Sequence, residues 1–187
     1  GLDHIAISVD RTFGDTKGAD RVAIHAWGYK DANRFLLDRV CERMTITGTI
    51  TAILGMRARW NGITPGVARV RFILIEKAAN GQAVMDLFDG QVSGSIPYKV
   101  RGNKYERAQI TSYKFQAGNI WLPMPEHAPW VHEFVELHVN FTGAAGGADD
   151  DIDAESQMMI HLDDADAQKP DDALARITGR LGFIGKR

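Results

Sequence analysis

Five carboxylates stand out by position: Asp10, Glu76, and the group Asp149, Asp150 and Asp153. Asp10 closes the run His4-Ile5-Ala6-Ile7-Ser8-Val9, and Glu76 closes Val70-Arg71-Phe72-Ile73-Leu74-Ile75. In an α/β sheet, binding residues gather at the carboxyl ends of strands. If these two strands are parallel neighbours, Asp10 and Glu76 sit side by side. Asp149, Asp150 and Asp153 open a late helix and could close on the same point from a third direction. Converging carboxylates repel one another, and hard oxygen-seeking cations such as Mg²⁺ or Mn²⁺ relieve that repulsion. Two such ions about 4 Å apart would stabilise both the attacking and the leaving oxygen of a phosphodiester.

Each acid has an ordinary reading as well. A strand-terminal Asp is a common turn residue. Asp149 and Asp150 fit a helix N-cap with dipole-favoured acids. Glu76 is harder to dismiss, because five of the six residues before it are apolar. A carboxylate there is costly unless it is paired or metal-bound. Asp153 lies one helical turn beyond Asp149, so it can face the same site. The joint occurrence of these acids carries more weight than any one of them.

The elements that must position them follow from periodicity. Apolar, β-branched runs predict strands over residues 4–10, 21–29 and 33–40, with a hairpin at Lys30-Asp31-Ala32. Ile50, Ile53, Leu54 and Met56 recur at helical spacing between about Thr47 and Trp60, although Gly48 and Gly55 weaken that pattern. A strand over 70–76 follows, then a helical stretch through Val84, Leu87 and Phe88. A short strand over 96–100 precedes a basic helix over about 104–116 and a brief strand over 119–123. Pro129 suits the first turn of a helix carrying Trp130, Phe134, Val135 and Leu137. Ile152, Met158, Met159 and Leu162 suit a last helix. From Asp163 the chain is acidic and weakly patterned, and it reads as a solvated tail. A three-strand meander followed by α/β alternation implies an α/β fold with one mixed sheet and helices on its faces.

Composition bounds the possibilities. At 187 residues, 44% of them apolar and 25% charged, the chain suits one core-forming domain, or one domain plus a tail. No apolar run approaches the roughly 20 residues of a membrane span, and no signal-like segment opens the chain. Gly1 in place of Met suggests a piece of a longer protein. A single cysteine, Cys41, excludes a disulfide framework and any cysteine-based zinc cluster. The six histidines show no metal-type spacing. His127 and His132 read as surface residues.

Several segments together resemble the C-terminal nuclease domain of the large terminase subunit of tailed bacteriophages, an RNase H-like fold. They are Ile7-Ser8-Val9-Asp10 with Gly18-Ala19-Asp20; Leu74-Ile75-Glu76-Lys77-Ala78-Ala79-Asn80-Gly81; Lys99-Val100-Arg101-Gly102-Asn103-Lys104-Tyr105-Glu106-Arg107-Ala108; Ala117-Gly118-Asn119-Ile120-Trp121-Leu122-Pro123; and Asp149-Asp150-Asp151-Ile152-Asp153-Ala154. The last matches the family's Asp-Asp-x-x-Asp-Ala pattern. The resemblance covers about Ile5 to Leu162, which makes 1–162 the nuclease domain and 163–187 an acidic C-terminal tail. Two features depart from the pattern. Ala148 stands where the family often has His, and the loop over 141–147 is longer than the usual Phe-Pro-x-Gly turn.

The resemblance implies an endonuclease that cuts concatemeric viral DNA during genome packaging, in the cytoplasm of an infected bacterium. Asp10, Glu76 and Asp149 or Asp150 would be catalytic and, with Asp153, would hold two Mg²⁺ or Mn²⁺ ions. The implied partners are double-stranded DNA, the terminase ATPase domain, the small terminase subunit and the portal, with no membrane. No phosphate-binding loop of the Gly-x-x-x-x-Gly-Lys-Ser/Thr type occurs, so no ATPase is expected on this chain. The rival expectations are another RNase H-like nuclease, such as a resolvase or transposase core, and a non-catalytic docking module for motor or portal.

The formal charge of -2 hides a polarised chain. Residues 97–116 carry +4 through Lys99, Arg101, Lys104, Arg107 and Lys114 against Glu106. Phosphate contacts need such a cluster and carry no sequence information. With Arg11 beside Asp10, these are the candidate DNA-binding residues; a solvated helix face is the plainer reading. Residues 148–172 carry -9.

Overall fold

A computed structural model describes residues 1–11, 20–61, 69–76, 86, 90–143 and 149–167. Among them a six-stranded sheet runs in the order β5-β4-β1-β2-β3-β6. Its strands are β1 (His4–Arg11), β2 (Asp20–Lys30), β3 (Asn33–Met44), β4 (Val70–Glu76), β5 (Ser95–Tyr98) and β6 (Ile120–Trp121). β1, β2 and β3 pair antiparallel as the expected meander. Asp31 turns the hairpin at φ 52°, a left-handed conformation that Asp tolerates. β4 lies parallel to β1, β5 parallel to β4, and β6 parallel to β3. The result is the mixed α/β sheet of an RNase H-like fold.

β1 has a strand on each side and helices over both faces, so Ile5 through Val9 are fully buried. That explains its near-continuous apolar run. Alternation sends Ile7 and Val9 to one face, with Val22, Ile24, Ile73 and Ile75. Helix α1 (Ile46–Trp60) packs there through Ile50, Ile53 and Met56. Thr45 caps it, its hydroxyl oxygen accepting from the Gly48 N–H at 3.2 Å. Burial of those three side chains outweighs the two glycines.

The opposite face gathers Ala6, Trp27, Leu36 and Leu74 under helices α3 (Trp130–Val139) and α4 (Asp150–Ala167). Phe134, Met158, Met159 and Leu162 supply the helical side of that core. Helix α2 (Lys104–Gln116) packs against α4. Its start is a capping box: Asn103 accepts from the Glu106 N–H, and Glu106 accepts from the Asn103 N–H.

The structure departs from the sequence pattern towards the end of the chain. The last helix does not stop at Leu162 but continues to Ala167. Asp163 and Asp166 are not merely solvated, because Lys114 Nζ lies 2.7 Å from Asp163 Oδ1 and Arg34 Nη2 lies 3.2 Å from Asp166 Oδ2. The brief strand near 119–123 reduces to Ile120–Trp121. The helical stretch through Val84, Leu87 and Phe88, and the tail beyond 167, lie outside the described residues.

Candidate active site

The pairing Val9↔Ile75 puts the next residues, Asp10 and Glu76, side by side at the carboxyl ends of two parallel strands. Asp10 shares a face with Ala6, and Glu76 shares one with Leu74, so both belong to the side covered by α4. Asp10 is 3% exposed. Its carboxyl is raised well above the usual carboxylate range, first by burial, then by a hydrogen bond with Glu76 and the negative charges of Glu76, Asp153 and Asp150. A negative charge so close disfavours the ionised form of Asp10.

Helix α4 supplies the third wall. Asp150 is pushed up by burial, against the opposing pull of Arg21. Arg21 Nε stands 3.0 Å from Asp150 Oδ2 as an ion pair without hydrogen-bond alignment. One turn on, Asp153 Oδ1 is 2.6 Å from Arg107 Nη2, and its Oδ2 is 2.8 Å from Lys104 Nζ. The same ammonium pairs with Asp149. Burial alone would lower the Lys104 amine, but hydrogen bonds to Asp149 and Asp153 raise it. So the structure brings Asp10, Glu76, Asp150 and Asp153 together, while Asp149 faces Lys104.

Asp151, to which the sequence pattern assigns no role, lies deepest. It is 1% exposed and accepts three hydrogen bonds. Arg39 donates from Nε at 2.8 Å and Nη2 at 2.7 Å, and His25 meets the same carboxylate through Nε2 at 2.8 Å. Burial would raise this carboxyl, but the Arg39 and His25 contacts hold it well below the usual range. A signal was present in the sequence. His25 and Arg39 interrupt apolar strands, and a buried polar group requires a partner. Nothing local identified that partner, which lies 126 residues from His25 and 112 from Arg39.

The basic candidates divide. Lys99 and Arg101 are exposed. Arg107 is a correction: it is 8% exposed, with its guanidinium committed to Asp153 and the Gly102 carbonyl. Lys104 and Lys114 are also engaged with carboxylates. The capping box at Asn103 starts α2 directly before Lys104, and both Lys104 and Arg107 in its first turns reach carboxylates of the α4 start. The side chain of Arg11 lies outside the described residues. Tyr98 is largely buried, whereas Tyr105 and Tyr113 are exposed. Cys41 is half-buried, and burial pushes its thiol up to about 12, which disfavours the thiolate.

All the converging donors are carboxylate oxygens, a set suited to a hard divalent cation. The elevated Asp10 carboxyl marks a concentration of negative charge that such an ion would neutralise. As the side chains lie, no three His, Cys, Asp or Glu groups among the described residues stand close enough to hold an ion. Lys104 instead spans Asp149 and Asp153. The donor chemistry fits an ion, provided that Asp153 turns from the cations that hold it. Among the described residues no helix is long and apolar enough to cross a membrane.

A family model described as a terminase RNaseH-like domain matches residues 7–162. No curated protein sequence matches the chain. Among solved structures, the large terminase of a thermophilic bacteriophage superposes with a TM-score of 0.62 at 10% identity, over 84% of this chain and 39% of that one. This chain therefore spans about two fifths of that terminase. The human cytomegalovirus terminase nuclease domain, Mn soaked and inhibitor bound, gives 0.57 at 17% identity, covering 86% of this chain and 84% of that one. The nuclease domain of the bacteriophage SPP1 large terminase with bound Mn gives 0.54 at 12% identity, over 83% and 85% of the two chains.

Proposed function

The chain belongs to the terminase RNase H-like domain family, and from that premise we propose that it is a metal-dependent DNA endonuclease domain acting in viral genome packaging. The observation that carries the reading is the elevated, buried Asp10 carboxyl against Glu76, faced by Asp150 and Asp153 from α4. Structural relatives that are nuclease domains with Mn support the choice of ion.

On this reading Asp10, Glu76, Asp150 and Asp153 hold one or two Mg²⁺ or Mn²⁺ ions, with Asp149 at the rim. Bound divalent ions supply Lewis acidity at the scissile phosphate and lower the pKa of the attacking water. The protein's own part is positional. The parallel β1–β4 pair fixes Asp10 and Glu76, while the first turn of α4 presents Asp150 and Asp153. Lys99 and Arg101, exposed ahead of α2, would meet the DNA backbone, with Arg11 as a further candidate. Hydrolysis adds water across the phosphodiester, forming a P–O bond to the water oxygen and releasing the 3′ oxygen. Concatemeric DNA as substrate, the ATPase domain, small subunit and portal as partners, and the infected bacterial cytoplasm as location belong to the same proposal.

The test is cleavage of supercoiled plasmid in Mn²⁺. Wild type should nick and linearise it, whereas folded Asp10→Asn and Glu76→Gln should not. Wild-type activity in either variant would remove the site assignment.

A further inference from the structure

Resting on that reading of the site, we propose that Arg39 and His25, acting through Asp151, are positioning residues that fix the first turn of α4 so that Asp150 and Asp153 face Asp10. His25 and Arg39 are direct cross-strand partners of β2 and β3. Both address one carboxylate. Arg39 grips it with two parallel N–H donors, and His25 approaches Oδ1 from the neighbouring strand. A bidentate guanidinium–carboxylate pair fixes the plane as well as the distance of the carboxylate. The His25 ring is wedged edge-on between Trp27 at 6.1 Å and Phe134 at 5.8 Å, so it has little room to turn.

The clamp continues outward. Arg39 Nη1 donates to Glu133 Oε2 at 3.0 Å, tying α3 to the same point. Arg21 Nη2 lies 3.7 Å from Glu133 Oε1, and Arg21 Nε lies 3.0 Å from Asp150 Oδ2. One ionic chain thus runs from the buried anchor back to a proposed ligand. The apolar contacts of α4 with the sheet core come from Met158, Met159 and Leu162, about two turns or more beyond Asp151. Near the site itself, the Asp151 clamp ties the first turn of α4 to β2 and β3, alongside the buried Ile152 and Ala154 and the ion pairs of Asp153 with Arg107 and Lys104 on α2. Asp151 is adjacent in sequence to Asp150 and two residues from Asp153, so a small rotation at the anchor swings both carboxylates.

A buried ion pair also serves stability, so the test must separate the two roles. Breaking one side, as in Asp151→Asn or Arg39→Met, orphans a buried charge or its partner and should lower both the thermal midpoint and Mn²⁺ affinity. Replacing both charged sides, in Arg39→Met/Asp151→Leu, removes the unpaired buried charge and should recover much of the midpoint, less the cost of leaving the buried His25 Nε2 without its partner. Mn²⁺ affinity by titration calorimetry should nevertheless stay about 10-fold to 100-fold below wild type. A double variant with a recovered midpoint and wild-type Mn²⁺ affinity overturns the positioning role. Arg39→Lys gives a second route, since it keeps the charge but loses the fork. Folded Arg39→Lys should bind Mn²⁺ roughly 10-fold more weakly, and unchanged affinity again overturns the proposal. A wild-type chain that binds no Mn²⁺ overturns the nuclease reading instead, a result distinct from either of these.

Discussion

Asp10 and Glu76 occupy adjacent positions on two parallel strands, and the buried Asp10 carboxyl is hydrogen-bonded to that of Glu76. Such a pair is unfavourable to the fold when both groups are ionised. The chain tolerates it at the one place where the nuclease reading needs concentrated negative charge.

Asp10→Asn should therefore act in opposite directions on stability and activity. Removing a charge that is desolvated and repelled by Glu76, Asp153 and Asp150 should raise the metal-free thermal midpoint by a few degrees. Plasmid cleavage should fall by more than about 100-fold, judged against the 10-fold to 100-fold typical of residues behind the ligands. Calorimetry of the metal-free variant checks the first effect, and a midpoint below wild type would contradict it.

The pH dependence follows from opposing shifts. The Asp10 and Asp150 carboxyls are raised. Their stabilising contribution is fully present below the ordinary carboxylate value and is lost as pH rises through their folded values. His138, lowered by burial but raised on balance by the hydrogen bond and charge of Glu155 together with the Phe134 carbonyl and the charge of Asp151, behaves the same way around and above 6.5. Asp151 is depressed, so its contribution is present above about 4 and is lost on further acidification. The metal-free midpoint should thus rise as pH falls through the raised values of these groups, and then fall once pH drops below the ordinary carboxylate range and Asp151 is protonated. Asp10→Asn should flatten the rising limb, a comparison open to thermal melts in a buffer series.

Lys104 holds Asp149 and Asp153 as an internal counter-ion. An incoming divalent cation must compete with it. Lys104→Gln should tighten Mn²⁺ binding by about 3-fold to 10-fold, in line with roughly 1 kcal/mol for a solvent-screened charge contact. Calorimetric titration reads this directly, and weaker binding would make Lys104 a supporting group instead of a competitor.

Lys99→Ala and Arg101→Ala should each weaken duplex binding equally across sequences and reduce the logarithmic salt slope by about 1. Arg107→Ala should leave that slope unchanged. Its removal instead leaves Asp153 with Lys104 as its remaining cation and should lower the thermal midpoint. Fluorescence anisotropy over a salt series separates the two classes.

Much of this arrangement was legible in the sequence because it rests on local pattern. The runs ending at Asp10 and Glu76 read as strands, and their parallel pairing follows from α/β logic. The Asp cluster reads as a helix start, and the pattern over 104–116 coincides with α2. What the sequence did not yield was direction. Lys104, Arg107 and Lys114 counted as a basic surface because net charge ignores which way a side chain faces. Arg107 is in fact turned inward to Asp153. Nor could spacing tell Asp151 from Asp149 and Asp150. Three adjacent aspartates point in directions about 100° apart on a helix, and the anchor was decided by two residues on distant strands.

β1 is hydrogen-bonded along both edges and covered on both faces, whereas the first turn of α4, buried through Ile152 and Ala154, is tied to the sheet and to α2 by ion pairs in place of a strand ladder. Local opening begins where the hold is weakest. In hydrogen exchange, the amides of β1 should be among the last to take up deuterium, and those around Asp150 to Asp153 should exchange earlier. That order of exchange would assign the two halves of the carboxylate cluster to different cooperative units. A partial opening of α4 would then pull them apart while the sheet stayed intact, dismantling the site reversibly without unfolding.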